Sequence, residues 1–411
     1  MSRPLSIKSK ETVMAIDEAP ALLVQRFNFN PNLGTEKVME LGNDEAVEIV
    51  PNDIITNNVS FDTNDWGIVD LFGMLVGQVP GTFNNATFNK DSLSGANSYG
   101  NIMIYENQDD GTLIQSVLLP AAKIQSFTWT YDARAFATES YNLMAKEDYS
   151  FVGTYAPTFV FKGTYATSST FTVTDTDLVT ADGLLLVING MVYDSSYIST
   201  IASGTVTVTG IALEATDKIA LIANKSAAIL NMLDNTGIGG LRGRSIKVEL
   251  KIEAENAEEF IRLQNVTVNG NVDQTELAEI SGGFLGYDYD DFSITVNATS
   301  LKTDLYEYAR ICGITTAQWA ARDTTGQLWS ILDGLNTDLS IIVHIFDDYT
   351  QANEIKTITV TGLRISDNGR SCDVPGRGEV TWAFDGDKFT VEGHGELGRL
   401  VDPEQTLYTV L

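Results

Sequence analysis

The chain's stock for acid–base, nucleophilic or metal chemistry is small: two histidines, two cysteines, and a surplus of carboxylates among 55 Asp and Glu residues. His344 stands in the alternating stretch IIVHIFDD and His394 in EGHGE. A general base or a metal site needs further groups converging on such a ring. Neither neighbourhood carries such a motif, so both read as strand and turn histidines. Cys312 and Cys372 have neither a disulfide framework nor zinc-ligand spacing and read as reduced core or loop residues. Any two carboxylates could be imagined as the acid/base pair of a glycoside hydrolase. The densest group, YDYDDF from Tyr287, reads instead as a polar turn before the strand FSITVNA. DTNDWG from Asp62 lacks the spaced oxygen ligands and closing Glu of a calcium loop, and Asp65 reads as a helix N-cap. GIGGLRG has no Lys-Ser/Thr for a phosphate loop and is a poor dinucleotide match. No catalytic residue, cofactor or metal is expected.

Composition narrows the class further. The chain has 411 residues, 43% of them hydrophobic, and a formal net charge of −29. That apolar content suits packed domains rather than disorder. Affinity for phosphate backbones comes mainly from Lys and Arg, and only LRGRSIK, from Leu241, is locally basic. The N-terminal stretch lacks the apolar core of a secretory signal, and no apolar run approaches the roughly 20 residues that span a bilayer. The expectation is a soluble acidic protein made in a cytoplasm, without membrane partners.

The elements that could position any site are written twice. QRFNFNPN from Gln25 matches QNVTVNGN from Gln264, and in both the apolar residues alternate as on a strand with one buried face. Each is followed by one short helix. Val69, Phe72 and Leu75 in the first copy, and Leu305, Tyr308 and Ile311 in the second, fall on one face of a 3.6-residue period, before Gly77 and Gly313. NIMIYENQDDGTLIQSVLL and IIVHIFDDYTQANEIKTITV both read as strand, acidic turn, strand. FTWTYDARAFATES and VTWAFDGDKFTVEG close the copies and align without gaps. That alignment sets Phe127, Trp129 and Tyr131 against Val380, Trp382 and Phe384 as the repeat core. Between the copies, INGMVYDSSY reads as a hairpin on Asn189-Gly190, within an alternating, Thr-rich stretch. The fold expected is mainly β with one short helix per repeat. Its domains are a first repeat over 1–152, an inserted all-β module over 153–226, and a linker plus second repeat over 227–411. The excursions Val79 to Gly100 and Thr315 to Leu335 differ between the copies. Phe83, Phe88, Tyr99, Trp319 and Trp329 in them are candidate contacts between subunits.

Ser126 to Ala145 resembles the final strand pair of the tail tube proteins of tailed viruses and related injection machines, loosely sFtwtfdvdGffTEsYnLmG. The stretch CDVPGRGEVTWAFDGDKFTVEG is similar. Asn189, Gly190, Tyr197, Leu213 and Asp217 fit a pattern of small β modules in phage tail proteins. The resemblance implies two tail-tube-like β-sandwich or barrel domains, a ring around a channel, and rings stacked into a hollow tube in the virion tail. A duplicated chain implies a trimeric, pseudo-hexameric ring, with a true hexamer as the alternative, and an outward insert suggests a non-contractile tail. The implied partners are further copies of the chain, a tape measure protein and transiting DNA in the lumen, and tail terminator and distal tail proteins. An acidic lumen would let DNA pass without sticking. Rival readings are another tail or baseplate component (hub, distal tail or sheath-like), a surface or adhesion β protein, and a secreted carboxylate-dependent hydrolase.

Overall fold

The computed structural model describes residues 12–17, 19–21, 24–32, 35–39, 46–51, 56–64, 70–77, 85–89, 92–93, 98–107, 112–146, 148–153, 155–164, 170–172, 183–202, 205–230, 243–252, 256–260, 262–278, 284–301, 306–311, 314–321, 338–372, 378–394 and 408–410. The fold is mainly β, with large antiparallel sheets, a few short helices and no closed barrel among the described residues.

The first part of the chain runs β1 (Thr12–Ile16), β2 (Ala19–Ala21), β3 (Val24–Asn32), β4 (Thr56–Thr63), α1 (Asp70–Leu75), β5 (Asn85–Phe88), β6 (Gly100–Asn107), β7 (Leu113–Asp132), β8 (Thr138–Ala145) and β9 (Tyr149–Val152). A middle part holds β10 (Tyr155–Thr164), β11 (Leu184–Ile188), β12 (Met191–Tyr193) and β13 (Lys218–Leu230). The last part runs β14 (Ile246–Ile252), β15 (Glu258–Glu259), β16 (Leu263–Ala278), β17 (Phe284–Leu301), α2 (Tyr306–Ile311), α3 (Thr316–Ala320), β18 (Leu339–Phe346), β19 (Glu354–Cys372), β20 (Gly378–Gly386) and β21 (Lys388–Gly393).

Seven antiparallel pairings of the first part recur in the last. β1 pairs with β2 and β6, β6 with β7, β7 with β8 and β9, and β4 with β3 and β8. Term for term, β14 pairs with β15 and β18, β18 with β19, β19 with β20 and β21, and β17 with β16 and β20. The short helices α1 and α2 follow β4 and β17. The long strands even bend alike. Ala121 in β7 and Gly362 in β19 take left-handed backbone, at φ 53° and 69°. Gln125 and Ser366, four residues further on, are bulged out of the ladder, the device by which a strand turns from one layer to another.

Aligned on that bulge, Ile124 corresponds to Ile365, Leu143 to Phe384, Val59 to Val296 and Phe29 to Val268. The last pair agrees with the match of QRFNFNPN and QNVTVNGN. The gapless match of FTWTYD and VTWAFD does not survive, because Trp129 lies on β7 whereas Trp382 lies on β20, the counterpart of β8. Trp382 occupies the place of Tyr141. Strands of one sheet share period and aromatic content, so a local pattern can slip to the neighbouring strand. YDYDDF is likewise not a turn: it lies within β17, opposite Val272 to Glu276 of β16, with Asp290 skipped in the ladder.

The outward-facing sheet positions and the core follow from period two. Leu339–Phe346 alternates strictly between buried and half-buried residues. Phe127, Trp129, Tyr131, Val380, Trp382 and Phe384 are all buried, in one core that also takes Phe72 and Leu75 of α1 and Ile311 of α2. Phe72 stands edge-on to Phe127, Trp129, Phe88 and Phe389, so α1 plugs an aromatic nest. Each such ring contributes about 1.5–3 kcal/mol by burial. Gly77, at φ 81°, ends that helix. Val69, Phe83, Leu305, Cys312, Gly313 and Trp329 lie outside the described residues, as does Asp65. Tyr308 sits within α2.

In the middle part, β13 lies between β10 and β11, and β11 turns into β12 through Asn189-Gly190, both at positive φ. A second small sheet joins Thr170–Thr172, Ile198–Ala202 and Thr205–Val208. Leu185, Val187 and Ile222 pack on Met103, Tyr105 and Leu118 of β6 and β7. Lys162 of β10 reaches buried Asp17 at 2.6 Å.

Candidate functional site, the open sheet face and its joint

One layer runs β3-β4-β8-β7-β16-β17-β20-β19, formed by two sets of four strands joined edge to edge. The joint is β7 against β16, with Tyr131 opposite Val266, Trp129 opposite Val268 and Phe127 opposite Gly270. One face of this layer is the core. The other is lined by short neutral polar side chains, because Asn, Ser and Thr alternate with Phe, Val and Trp along each strand. In register across the sheet lie Asn28, Ser60, Asn142, Ser126, Asn271 and Ser293. A second row is Arg26, Asp62, Ser140, Thr128, Asn269, Thr295, Asp385 and Arg364.

These side chains tie strand to strand. Asn142 Nδ2 donates to Ser126 Oγ at 2.8 Å, Thr128 Oγ1 to Asn269 Oδ1 at 3.1 Å, and Asn269 Nδ2 to Thr295 Oγ1 at 3.4 Å. A shallow concavity of about 470 Å³ opens over Asn28, Asn58, Asn142, Asn271 and Gln274. The face carries Asp62, Asp132, Asp273, Asp291, Asp367 and Asp385. Arg26 pairs with the first at 2.9 Å, and Arg364 stands opposite the last. Backbone N–H donation from Arg134 holds the Asp132 carboxyl below its ordinary range.

Beneath the joint lies a polar group that sequence reasoning missed. Lys356 Nζ, on β19, meets Glu139 Oε1, on β8, at 2.6 Å, and both are essentially inaccessible to solvent. Tyr141 Oη donates to Glu139 at 2.6 Å and Trp129 Nε1 donates to Tyr141 at 3.1 Å. The Lys356 ammonium also lies 5.6 Å from the Trp129 ring. Burial, then the Glu139 charge, pushes the Tyr131 and Tyr141 hydroxyls well up. The sequence cue was available: Glu139 is a lone charge at an inward position of TESYNLMA, as Lys356 is in EIKTITV.

The candidate contact residues fall in different places. Phe88 is buried against Phe72 and Phe389, and Tyr99 is buried in the cluster beneath the middle part. Both rings are spent inside the chain, since excursions that start polar return to the core at these points. Trp319 is half-buried against Tyr306 of α2, at 5.5 Å between rings. The two histidines do converge. His344 Nδ1 lies 2.5 Å from Glu354, and His394 Nε2 lies 2.6 Å from Thr357, whose hydroxyl also binds Glu354. Among the described residues no group of three or more His, Cys, Asp or Glu is arranged to hold a metal.

The fold therefore defines a mainly β protein whose main layer is two similar strand sets joined at their edges, with one open polar face. No family model matches the chain, and no curated protein matches it. Solved structures to which it is similar include the tail of an empty gene transfer agent particle refined with C6 symmetry, at 12% identity. That match covers 36% of this chain and 94% of the other, with a TM-score of 0.24. Others are the SPP1 tail tube (12% identity, 38% and 81% covered, TM-score 0.25) and the anti-feeding prophage baseplate (8%, 36% and 92%, 0.25). Likenesses this partial, at such TM-scores, assign the chain neither a family nor a role.

Proposed function

We propose that this chain is a structural subunit of a viral tail, a tail tube protein with a duplicated tube domain and an inserted β module. The observation that carries this reading is the joint between β7 and β16, together with the two edges it leaves over. β7 accepts β16. Among the described residues their counterparts, the 364–372 part of β19 and β3, each pair with a single strand, β20 and β4. Exposed edges invite pairing, and β19 of one copy can take β3 of the next as β7 takes β16. The counterpart register sets Phe29 opposite Arg370 and Asn32 opposite Asp367. Such contacts are head-to-tail and close into a ring if the rotation allows. Three chains would then present six alternating strand sets.

In that ring the Asn/Ser/Thr face lines the bore, since helix, second layer and inserted module all lie on the other side. The lining is hydroxyl and amide, with carboxylates outnumbering arginines among the described residues. It offers a transiting duplex little attraction and mild repulsion. A tape measure protein would share that bore. The inserted module, docked on the far side of β6 and β7, points outward.

Negative-stain and cryogenic electron microscopy of the purified chain test this directly. Rings or tubes with threefold or pseudo-sixfold symmetry are expected. A monodisperse monomer at high concentration, or a two-fold dimer, overturns the reading.

A further inference from the structure

The buried pair beneath the joint has a donor count that an ion pair leaves unmet. An ammonium carries three N–H donors. Among the described residues Lys356 Nζ has one oxygen within hydrogen-bond reach, Glu139 Oε1 at 2.6 Å, and beside it stands the Trp129 ring at 5.6 Å. The two side chains are 2% and 0% exposed, which keeps bulk solvent from the remaining donors. Buried polar groups are normally hydrogen-bonded. The carboxylate is better served, since its second oxygen accepts from Tyr141 Oη at 2.6 Å, and Tyr141 accepts from Trp129 Nε1 at 3.1 Å. The pair belongs to this joint and not to the repeated fold. The counterpart of Lys356 in the first part is Gln115, and that of Glu139 in the last part is Val380.

An amide in the same place removes the excess. It has one N–H, which can face the Trp129 ring, and one carbonyl oxygen, which can keep the Tyr141 bond. In water the two ions are favoured over the amide because both are solvated. Burial takes that solvation away and moves the balance towards amide and released water. Position is also met. A nitrogen 2.6 Å from a carboxylate oxygen is at most one bond length further from the carboxyl carbon, close to the roughly 3–3.5 Å at which held groups react.

We propose that Lys356 Nζ and Glu139 Cδ condense into an isopeptide bond, an internal cross-link between β19 and β8 that ties the two strand sets together. One proton passes from the ammonium to Oε1, leaving an amine and a carboxylic acid. The Nζ lone pair then forms the C–N bond at Cδ, and the C=O π electrons move onto the oxygen held by Tyr141. As that carbonyl re-forms, the bond from Cδ to Oε1 breaks. Oε1 leaves as water, carrying its first proton and a second one from Nζ. No oxidant or other reactant is consumed. Tyr141 Oη donates to the oxygen on which charge develops, and Trp129 positions Tyr141. The Tyr131 hydroxyl is buried without a hydrogen-bond partner, within the field of the Glu139 charge.

Intact-mass spectrometry of the denatured full chain, followed by tryptic mapping, tests the bond. The expected chain is lighter than its sequence by one water, resists trypsin after Lys356, and yields a branched peptide containing Glu139 and Lys356. Glu139→Ala and Lys356→Met should each restore the full mass. Tyr141→Phe should slow the mass loss by about tenfold or more, as removal of an oxyanion donor does, with circular dichroism showing that it folds. The unmodified chain decides even where a variant fails to fold. Full mass after prolonged incubation, with cleavage at Lys356, overturns the proposal, and so does a lost water that maps to any other pair. A folded Tyr141→Phe chain that cross-links at the unmodified rate overturns the part given to Tyr141. None of these readings depends on whether the chain forms rings.

Discussion

The joint of β7 with β16 and the edge of β19 differ in composition although β7 and β19 occupy corresponding places in their strand sets. At the joint inside the chain, Phe127, Trp129 and Tyr131 face the core, roofed by Phe389 and Phe72 and sealed by Glu139–Lys356. At the edge of β19 the same three places are held by Asn368, Arg370 and Cys372. The first is built like a domain interior, with its aromatic rings buried in one core.

The sharpest way to break the first joint is to strand one of its charges. Lys356→Met leaves the Glu139 carboxylate buried without its cation and should cost about 3–5 kcal/mol of unfolding free energy. Replacing both partners by apolar residues should recover most of that. Chemical denaturation measures both. Gln115→Met, at the counterpart position, should change the isolated chain by about 0.5 kcal/mol or less.

Gly270 sharpens the comparison at the backbone. A Cβ there would lie 2.1 Å from Cε1 of Phe127, its cross-strand neighbour. The glycine is what lets the ring lie flat over the strand junction. Gly270→Val should destabilise by about 1–3 kcal/mol through overpacking. Pro31, the counterpart of Gly270 on β3, should tolerate replacement by Ala in the isolated chain, with thermal melts separating the two.

Lys123 tests the layer from the side of pH. Burial lowers its ammonium to about 8, so between that value and the unfolded pKa near 10.4 the unfolded chain holds the extra proton. Its part in stability is therefore least favourable below pH 8 and improves as pH rises toward 10. Above that, Tyr131 and Tyr141 oppose it, because the unfolded phenols ionise and the buried ones do not. Lys123→Met should raise stability at pH 7 by about 1–2 kcal/mol, a discounted share of the shift, and should flatten the rise between pH 8 and 10 in denaturation curves.

Much of this was legible in the sequence, and its failures are local. Alternating Phe, Val and Asn residues showed β3 and β16 and their correspondence. The acidic hairpins showed β6–β7 and β18–β19, and Asn189-Gly190 showed its turn. The open face was equally visible, since FNFN, VTVN and ITVN put amides and hydroxyls where a solvated strand more often carries charge. The slip came from pairing FTWTYD with VTWAFD. Which strand a Trp sits on is decided by sheet order, a non-local property that a local pattern does not encode. The Glu139–Lys356 contact escaped for the same reason, its partners lying on strands far apart in the chain.

The smallest effect belongs to the bends. Ala121 and Gly362 occupy the same left-handed position at the same distance before a bulge, yet one copy places a side chain there. Left-handed backbone disfavours any Cβ by roughly 1 kcal/mol, and at Gly362 a Cβ would also sit 2.5 Å from a carboxylate oxygen of Asp387. Gly362→Ala should therefore cost about 1–2 kcal/mol. Ala121 has its methyl group buried among Tyr99, Met103 and Leu118, which offsets the strain. Ala121→Gly should relieve that strain, lose the methyl contact and free the unfolded chain, a balance within about 0.5 kcal/mol of zero. Paired melts of the two variants decide whether the bend is held by the conformation of one residue or by the layers on either side. Equal and opposite changes would assign it to the residue, whereas a loss at Gly362 beside indifference at Ala121 assigns it to the packing.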